Sequence, residues 1–125
     1  MYKVSVEDKI SSAHQLRGYK GKCEKLHGHN WKIILTVKGE KLDAAGMLID
    51  FHELREILSN VLSEIDHTNI NEVLYFLHIN PTSENIAYYI FHRTRAMLDM
   101  KNFSEISVDK VCVYETDKAM AEYSE

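Results

Sequence analysis

Alternate side chains of the stretch HNWKIILTV, residues 29–37, form two faces of different character. One face contains His29, Trp31, Ile33, Leu35 and Val37, and the other contains Asn30, Lys32 and Thr36. Successive side chains of a strand point to opposite sides of its sheet, so this pattern indicates a strand with one buried face. We therefore expect a β-sheet that is covered on one side by other parts of the chain.

The sequence before this strand predicts a first strand and an exposed loop. Residues 2–6, YKVSV, alternate in the same way, and the strand can continue with some irregularity to Leu16. The loop LRGYKGKCEK, residues 16–25, contains two glycines and four positive charges, a composition typical of exposed loops. Turn-forming residues in GEKLDAAG, residues 39–46, end the second strand.

Two helices are predicted after these strands. Asp50 is the expected N-cap of the first helix, with Glu53 three positions later in a capping-box arrangement. Its apolar face consists of Phe51, Leu54, Ile57, Leu58, Val61, Leu62 and Ile65. Thr82 is the expected N-cap of the second helix. Its buried stripe is predicted to contain Ile86, Ala87, Ile90, Phe91, Met97 and Leu98.

The end of the chain predicts two more strands, at residues 106–116 and 118–123, joined by a short turn. The resulting order is ββααββ. Strand pairs joined by short turns favour an α+β fold, a four-stranded antiparallel sheet with both helices on one face. Since the chain has 125 residues and no linker-like tract, we expect residues 1–125 to form a single domain.

Composition excludes several classes of function. The formal net charge of −4 disfavours a nucleic-acid-binding protein, and no apolar run approaches the roughly 20 residues that span a bilayer. The N-terminus lacks the pattern of a signal peptide. Two cysteines could form one disulfide, but a chain of this length does not need one for stability, so we expect a reduced, cytoplasmic protein that binds neither nucleic acid nor membrane.

Three histidines are candidate metal ligands. In CEKLHGHNW, residues 23–31, His27 and His29 lie two positions apart and share one strand face. If the first two strands pair as a hairpin, His14 lies close to them. Three imidazoles suit Zn²⁺ and leave one coordination position open, as in catalytic zinc sites. The spacing can also be a coincidence in a chain with seven histidines.

Cys23 has two possible roles beside such a metal. As a fourth ligand it would close a structural zinc site. As a free thiol it would have its pKa lowered by the nearby positive charge and could act as a base or nucleophile. Cys112, in the apolar KVCVYE, is expected to be a small buried residue.

Six motifs resemble one enzyme family along nearly the whole chain. They are SAHQL (12–16), CEKLHGHNW (23–31), GMLIDFHELR (46–55), IDHTNIN (65–71), NPTSENIA (80–87) and YETDKAMAEY (114–123). In this order they resemble the 6-pyruvoyltetrahydropterin synthase / 6-carboxytetrahydropterin synthase family. The resemblance implies the tunnelling fold (T-fold), with trimers or stacked hexamers and active sites between subunits.

The resemblance also assigns residues. It implies that His14, His27 and His29 bind zinc, that Cys23 is the catalytic thiol with Asp66 and His67 as a catalytic pair, and that Glu115 anchors a pterin. Thr82 and Ser83 could donate hydrogen bonds near the pterin ring, and Arg17, Lys20, Lys22 and Lys25 could bind a triphosphate.

The loop of three residues between Cys23 and His27 resembles that of the bacterial and archaeal 6-carboxytetrahydropterin synthases, which serve queuosine and other 7-deazapurine pathways. The implied reaction converts 7,8-dihydroneopterin triphosphate to 6-carboxy-5,6,7,8-tetrahydropterin, acetaldehyde and triphosphate. The alternatives are a 6-pyruvoyltetrahydropterin synthase, a relative acting on unphosphorylated dihydroneopterin, and a non-catalytic zinc protein whose metal is closed off by the thiol and the three imidazoles.

The implied chemistry divides the proton transfers between two groups. Cys23 as thiolate takes a proton from the substrate side chain, and His67, oriented by Asp66, moves a proton on the opposite side. Simpler interpretations exist for the same residues. IDHTN can be a polar helix end, and Glu115 can be a solvated acid at a strand end.

Overall fold

The computed structural model describes residues 1–21 and 24–125. Its four strands are β1 (Tyr2–His14), β2 (His27–Gly39), β3 (Ser107–Thr116) and β4 (Ala119–Ser124). Two helices, α1 (Phe51–Leu62) and α2 (Ser83–Met100), lie between β2 and β3 in the sequence, separated by short 3-10 turns at Ile70–Glu72 and Leu74–Phe76. The strands form one antiparallel sheet in the order β1-β2-β3-β4, so the predicted α+β fold is confirmed.

The first two strands pair along their whole length, from Tyr2 opposite Gly39 to His14 opposite His27. The predicted irregularity in the first strand is therefore absent, and β1 is regular as far as His14. This regular register determines which side chains of the two strands share a face. Ile10 lies opposite Trp31, and both are buried on the side of the sheet that the helices cover.

The core lies between this face of the sheet and the two helices. Trp31, Ile33, Leu35 and Val37 of β2 are fully buried, as are Leu54, Ile57, Leu58 and Val61 of α1 and Ile86, Ala87 and Ile90 of α2. Burial of so many large apolar side chains is the main stabilising term for this sheet–helix pair. The alternation seen at residues 29–37 is thus the β2 contribution to one continuous core.

Both helices begin at the predicted N-caps. The Asp50 carboxylate accepts a hydrogen bond from the backbone of His52 at 2.7 Å, and the Thr82 hydroxyl accepts one from the backbone of Asn85 at 3.1 Å. Phe51, the first residue of α1, is 60% exposed, so the buried stripe of that helix begins one turn later than predicted.

Neither helix in the described parts of the chain has the length and apolar character needed to cross a membrane.

Candidate metal centre

The register of the β1–β2 hairpin brings three histidines together at one end of the sheet. His14 lies opposite His27, and Ser12 lies opposite His29. Because residues two apart share a face, the three imidazoles continue the buried row of Trp31 beyond the edge of the apolar core. With Glu115 they form a group in which one ligand atom of each residue lies within 4.8 Å of the others.

Backbone carbonyls orient two of the rings. His14 Nδ1 lies 2.7 Å from the carbonyl oxygen of Pro81, and His27 Nδ1 lies 2.8 Å from that of Lys25. A carbonyl only accepts, so both Nδ1 atoms carry the proton, and in the neutral rings both Nε2 atoms present lone pairs. A hydrogen bond from the outer ring nitrogen to a carbonyl is the usual support of a histidine that ligates a metal.

The Nε2 atoms of His14 and His27 face one another at a distance that is unfavourable unless a cation lies between them. His14 Nε2 lies 3.1 Å from His27 Nε2, and two lone pairs at that separation repel unless a positive charge lies between them. The Nε2 atom of His29 is buried and makes no hydrogen bond of acceptable geometry within residues 1–21 and 24–125, although Glu115 Oε1 lies 3.1 Å away. This donor set of imidazoles and a carboxylate fits a divalent metal such as zinc.

Burial changes the pKa of the His29 imidazole in the direction that favours metal binding. Desolvation lowers the pKa of His29, and the neighbouring His14 and His27 act in the same direction, while Glu115 partly opposes the shift. A lowered pKa keeps the ring neutral near pH 7, and only a neutral imidazole can donate its lone pair to a metal.

The Glu115 side chain reaches the histidines because β3 is irregular at this residue. In the pairing of β3 with β4, the register shifts between Tyr114 and Thr116, which leaves Glu115 as the extra residue of a bulge. Bulges redirect a side chain relative to the regular alternation of a strand. Glu115 Oε1 lies 3.1 Å from both His14 Nε2 and His29 Nε2. The sequence predicted that this carboxylate anchors a pterin, and the structure places it beside the imidazoles and in the lining of the neighbouring cavity.

A cavity of about 230 Å³ opens beside this group. His14, Thr82, Ser83 and Glu115 line it, together with Leu16, Glu84 and residues 119–121 of β4. Three of these side chains are the residues for which the sequence predicted a role in substrate binding. The structure therefore joins them in one concave space with a candidate metal ligand, which is the arrangement expected of a small-molecule site.

The side chains of Asp66 and His67 lie close together, with 2.8 Å between Asp66 Oδ1 and His67 Nδ1. Neighbouring side chains meet here because His67 has a positive φ of 52°. The pair is attached to the outer edge of β1: Asp66 Oδ1 also accepts from the backbone of Ser11 at 3.0 Å, and the backbone of His67 donates to the Ser11 carbonyl at 2.8 Å. The His67 side chain is 80% exposed, so it is accessible from outside the subunit.

Two asparagines that sequence reasoning missed hold the segment after His14. Asn71 accepts from the backbone N–H of Gln15 at 2.8 Å and donates to its carbonyl at 2.9 Å. Asn80 makes the same pair of bonds to Arg17, at 2.8 and 2.9 Å. Each amide side chain thus makes the two hydrogen bonds that the backbone of a neighbouring strand would otherwise make. Their occurrence within IDHTNIN and NPTSENIA was the only sequence signal that could have indicated them.

The loop that contains the predicted thiol is described in part. Cys23 and Lys22 lie outside the described residues. On either side of them, Leu16 and Glu24 pair, with the Glu24 backbone N–H donating to the Leu16 carbonyl at 2.9 Å. The two asparagines and this pairing therefore anchor the loop on both sides of residues 22–23.

Arg17, which the sequence analysis named as a possible triphosphate ligand, makes three hydrogen bonds within the protein. Its guanidinium donates to the carbonyls of Phe76, Leu77 and Ile79 at 2.6–3.0 Å. Three of its donors are thus used to tie the loop to the segment before Asn80, which indicates a structural role for this arginine.

The sheet, its two helices and the histidine group together define a protein of the T-fold class with a candidate metal centre. The comparison with known families agrees with this definition. Residues 3–125 match the family model described as 6-pyruvoyl tetrahydropterin synthase, and the chain belongs to that family.

Similar proteins include some named 6-carboxytetrahydropterin synthase and some named 6-pyruvoyl tetrahydropterin synthase. The 6-carboxy-5,6,7,8-tetrahydropterin synthase of Haemophilus influenzae is 30% identical, with 100% of both chains covered. A putative 6-carboxy-5,6,7,8-tetrahydropterin synthase of Archaeoglobus fulgidus is 40% identical over 88 residues, 70% of this chain and 71% of the relative. The solved structure of Caenorhabditis elegans 6-pyruvoyl tetrahydropterin synthase has a TM-score of 0.81 at 30% identity, covering 100% of this chain and 97% of the other.

Proposed function

We propose that the protein is a zinc-dependent 6-carboxytetrahydropterin synthase. In this reaction 7,8-dihydroneopterin triphosphate and water give 6-carboxy-5,6,7,8-tetrahydropterin, acetaldehyde and triphosphate. The observation that carries the proposal is the cavity of about 230 Å³ in which His14 meets Glu115, Thr82 and Ser83. It combines a candidate metal ligand with groups that can recognise a flat heterocycle.

His14, His27 and His29 would hold the zinc. The facing lone pairs of His14 and His27 support this assignment, because that arrangement is unfavourable without a cation. When bound, zinc supplies Lewis acidity to oxygens of the substrate side chain. Imidazole ligands bring no negative charge, so three of them would leave most of the positive charge of a bound metal available for that task.

The pterin ring would bind in the cavity next to the metal ligands. A carboxylate accepts two parallel hydrogen bonds from the ring N–H and the amino group of a pterin, so Glu115 is the proposed anchor. Thr82 and Ser83 are placed at the start of α2, where a hydroxyl and free backbone N–H groups can donate to ring acceptors.

Two groups would move protons. Cys23 is the proposed thiolate that takes a proton from the substrate side chain. His67 is the proposed second proton carrier, and the Asp66 carboxylate, 2.8 Å from its Nδ1, would hold the ring in one orientation. The exposure of His67 in one subunit is consistent with an active site completed at a subunit boundary.

The choice of the carboxy product is supported by two observations. The Haemophilus influenzae relative, which is covered over its full length, carries that name, and the loop between Cys23 and His27 has three residues. The pyruvoyl product is the second candidate, since the C. elegans structure with a TM-score of 0.81 carries that name.

We further propose that the single-domain subunit assembles into a homotrimer or homohexamer in the cytoplasm. Strands β1 and β4 are the two edges of its sheet. Within residues 1–21 and 24–125, backbone contacts of residues 66–69 with the outer edge of β1 lie near the end of the strand, at Ser11 and Ala13. Strand edges left open in a subunit are normally paired or protected, and closure of several sheets into a barrel would achieve this.

The test is incubation of the zinc-loaded protein with dihydroneopterin triphosphate, followed by identification of the product by mass. We expect 6-carboxytetrahydropterin with release of acetaldehyde. The pyruvoyl product would support the second candidate, and absence of turnover at full zinc loading would contradict both. Alkylation of Cys23 while zinc remains bound would exclude the closed structural site, in which the thiol is the fourth ligand.

A further inference from the structure

The turn that contains Asp66 and His67 pairs with the outer edge of β1. The backbone N–H of Ser11 donates to Asp66 Oδ1 at 3.0 Å, and the Ser11 carbonyl accepts from the His67 backbone at 2.8 Å. Two residues further along the strand, the backbone N–H of Ala13 donates to the Thr68 carbonyl at 3.0 Å. These three bonds attach the turn to the strand.

A buried serine side chain bonds the same turn from the inner side of the sheet. Ser12 is 6% exposed, and its hydroxyl donates to the Ile65 carbonyl at 2.5 Å and accepts from the Thr68 backbone N–H at 3.4 Å. The first of these groups lies two residues before His67, and the second directly follows it. Within residues 1–21 and 24–125, Ser12 is the one side chain that bonds the backbone on both sides of His67.

The backbone of His67 has a conformation that most residues avoid. Its φ of 52° lies in the left-handed region, which a residue with a Cβ atom adopts at a cost in free energy. In this conformation the His67 ring meets Asp66, with 2.8 Å between Nδ1 and Oδ1. A backbone conformation of this kind persists only where the surrounding structure determines it. The bonds on either side of His67 therefore decide whether the two side chains meet.

Loss of the Ser12 hydroxyl would leave two backbone groups without their partner. Ile65 is fully buried, so water cannot readily replace the bond to its carbonyl. The turn can find new partners for these groups only by moving, and movement changes the backbone conformation of His67. The bonds to the backbone of Ser11 and Ala13 do not involve the hydroxyl, so the turn should stay attached to β1 and a variant without the hydroxyl should fold.

We propose that Ser12 is a positioning residue for His67, and that its hydroxyl holds the turn in the conformation that brings His67 to Asp66. This rests on the proposed function, in which His67 moves a proton during turnover. Ser12 is not in the lining of the cavity of about 230 Å³ that would receive the pterin ring. Its contribution therefore concerns the rate of proton transfer and not the binding of the substrate.

The test compares Ser12→Ala with the unmodified zinc-loaded protein. Hydrogen–deuterium exchange of residues 64–70, measured by mass spectrometry, reports whether the turn loosens. Turnover of dihydroneopterin triphosphate at several substrate concentrations separates kcat from KM. We expect faster exchange in this segment and a kcat lower by about tenfold, because a misplaced proton carrier reacts slowly. KM and zinc content should be unchanged.

Ser5→Ala is the matched control. Ser5 lies on the same strand, and its hydroxyl is 2.8 Å from the Thr36 hydroxyl on the other face of the sheet. The exchange, kcat, KM and zinc content of this variant should equal those of the unmodified protein. Ser12→Ala is also combined with His67→Gln, which removes the proton carrier. If Ser12 acts through His67, its substitution should cause no further loss of kcat in that background.

Two kinds of failure can be distinguished. Unchanged kcat or unchanged exchange in Ser12→Ala would overturn the positioning role while leaving the proposed function in place. An equal loss of kcat in the His67→Gln background would also overturn it, since Ser12 would then act by another route. Absence of turnover by the unmodified protein at full zinc loading would instead overturn the proposed function, and the role of Ser12 with it.

Discussion

Removal of the Asn71 amide should destabilise the protein well beyond the effect of an ordinary surface substitution. Asn71 is 8% exposed, and its side chain makes two hydrogen bonds to the backbone of Gln15, at 2.8 and 2.9 Å. A hydrogen bond contributes about 1 kcal/mol net, and a buried group left without a partner costs about 1–3 kcal/mol more. Since Gln15 is only partly buried, water can replace some of the loss. We expect Asn71→Ala to lower the free energy of unfolding by about 2–4 kcal/mol.

The measurement is urea denaturation at one fixed protein concentration, because an oligomer gains stability with concentration. Asn71→Asp is informative beside it. It keeps the acceptor for the Gln15 N–H but places a carboxylate oxygen against the Gln15 carbonyl, so we expect a loss of similar size. Asn60→Ala is the control, since Asn60 is exposed on α1 and alanine favours helix. If Asn71→Ala lowers the free energy of unfolding by less than about 1 kcal/mol, the two hydrogen bonds of the amide to the Gln15 backbone do not stabilise the fold as argued.

Three other predictions concern the metal, the thiol and acid stability. His27→Ala should lose most of the bound zinc in elemental analysis, while His52→Ala, which removes an exposed histidine, should retain it. Cys23→Ala should keep its zinc and lose turnover; loss of zinc from this variant would show that the thiol is a ligand. The amines of Lys3 and Lys38 lower the pKa of Asp109, which lies 2.9 and 3.2 Å from them. The stabilising effect of the Asp109 carboxylate is therefore present above the pKa of about 4 that this group has in the unfolded chain. It is lost as pH falls through the lower pKa that the group has in the folded protein. Asp109→Asn should flatten the fall in urea midpoint between about pH 6 and pH 3, and an unchanged slope would contradict this assignment.

The three histidines that are candidate metal ligands lie at the end of a regular hairpin. His14 and His27 are the last paired residues of β1 and β2, and His29 follows in the regular alternation. Sites on regular elements hold their side chains more accurately than sites on loops. Glu115, by contrast, lies on a bulge at the end of β3.

Several features of the fold were predictable because they are local. Alternation in residues 29–37 is a property of neighbouring side chains, and it correctly indicated β2 and its buried face. The caps at Asp50 and Thr82 depend on residues within one helical turn, and both were correctly predicted. The exception was Phe51, whose helical position matches the stripe but whose side chain is 60% exposed. Periodicity shows which face a residue occupies and does not show where the covering layer ends.

The candidate site was predictable where strand register determines it. Once β1 and β2 form a hairpin, His14 must approach His27 and His29, so these three residues could be grouped from the sequence. Asn71 was missed because its partners are backbone atoms of Gln15, 56 positions earlier in the chain. Any exposed asparagine can have similar neighbours in the sequence. No local pattern therefore distinguishes an asparagine whose side chain pairs with the backbone of a distant segment.

The sequence by itself determined the order of strands and helices, the buried face of β2 and the set of three histidines, because these follow from periodicity and from the pairing of adjacent strands. Only the tertiary structure decided that the Pro81 and Lys25 carbonyls orient two of those rings, and that a bulge turns Glu115 toward them. Hydrogen-bond partners and bulges depend on which distant segments come within about 3 Å of each other, and that distance is a property of the packed chain.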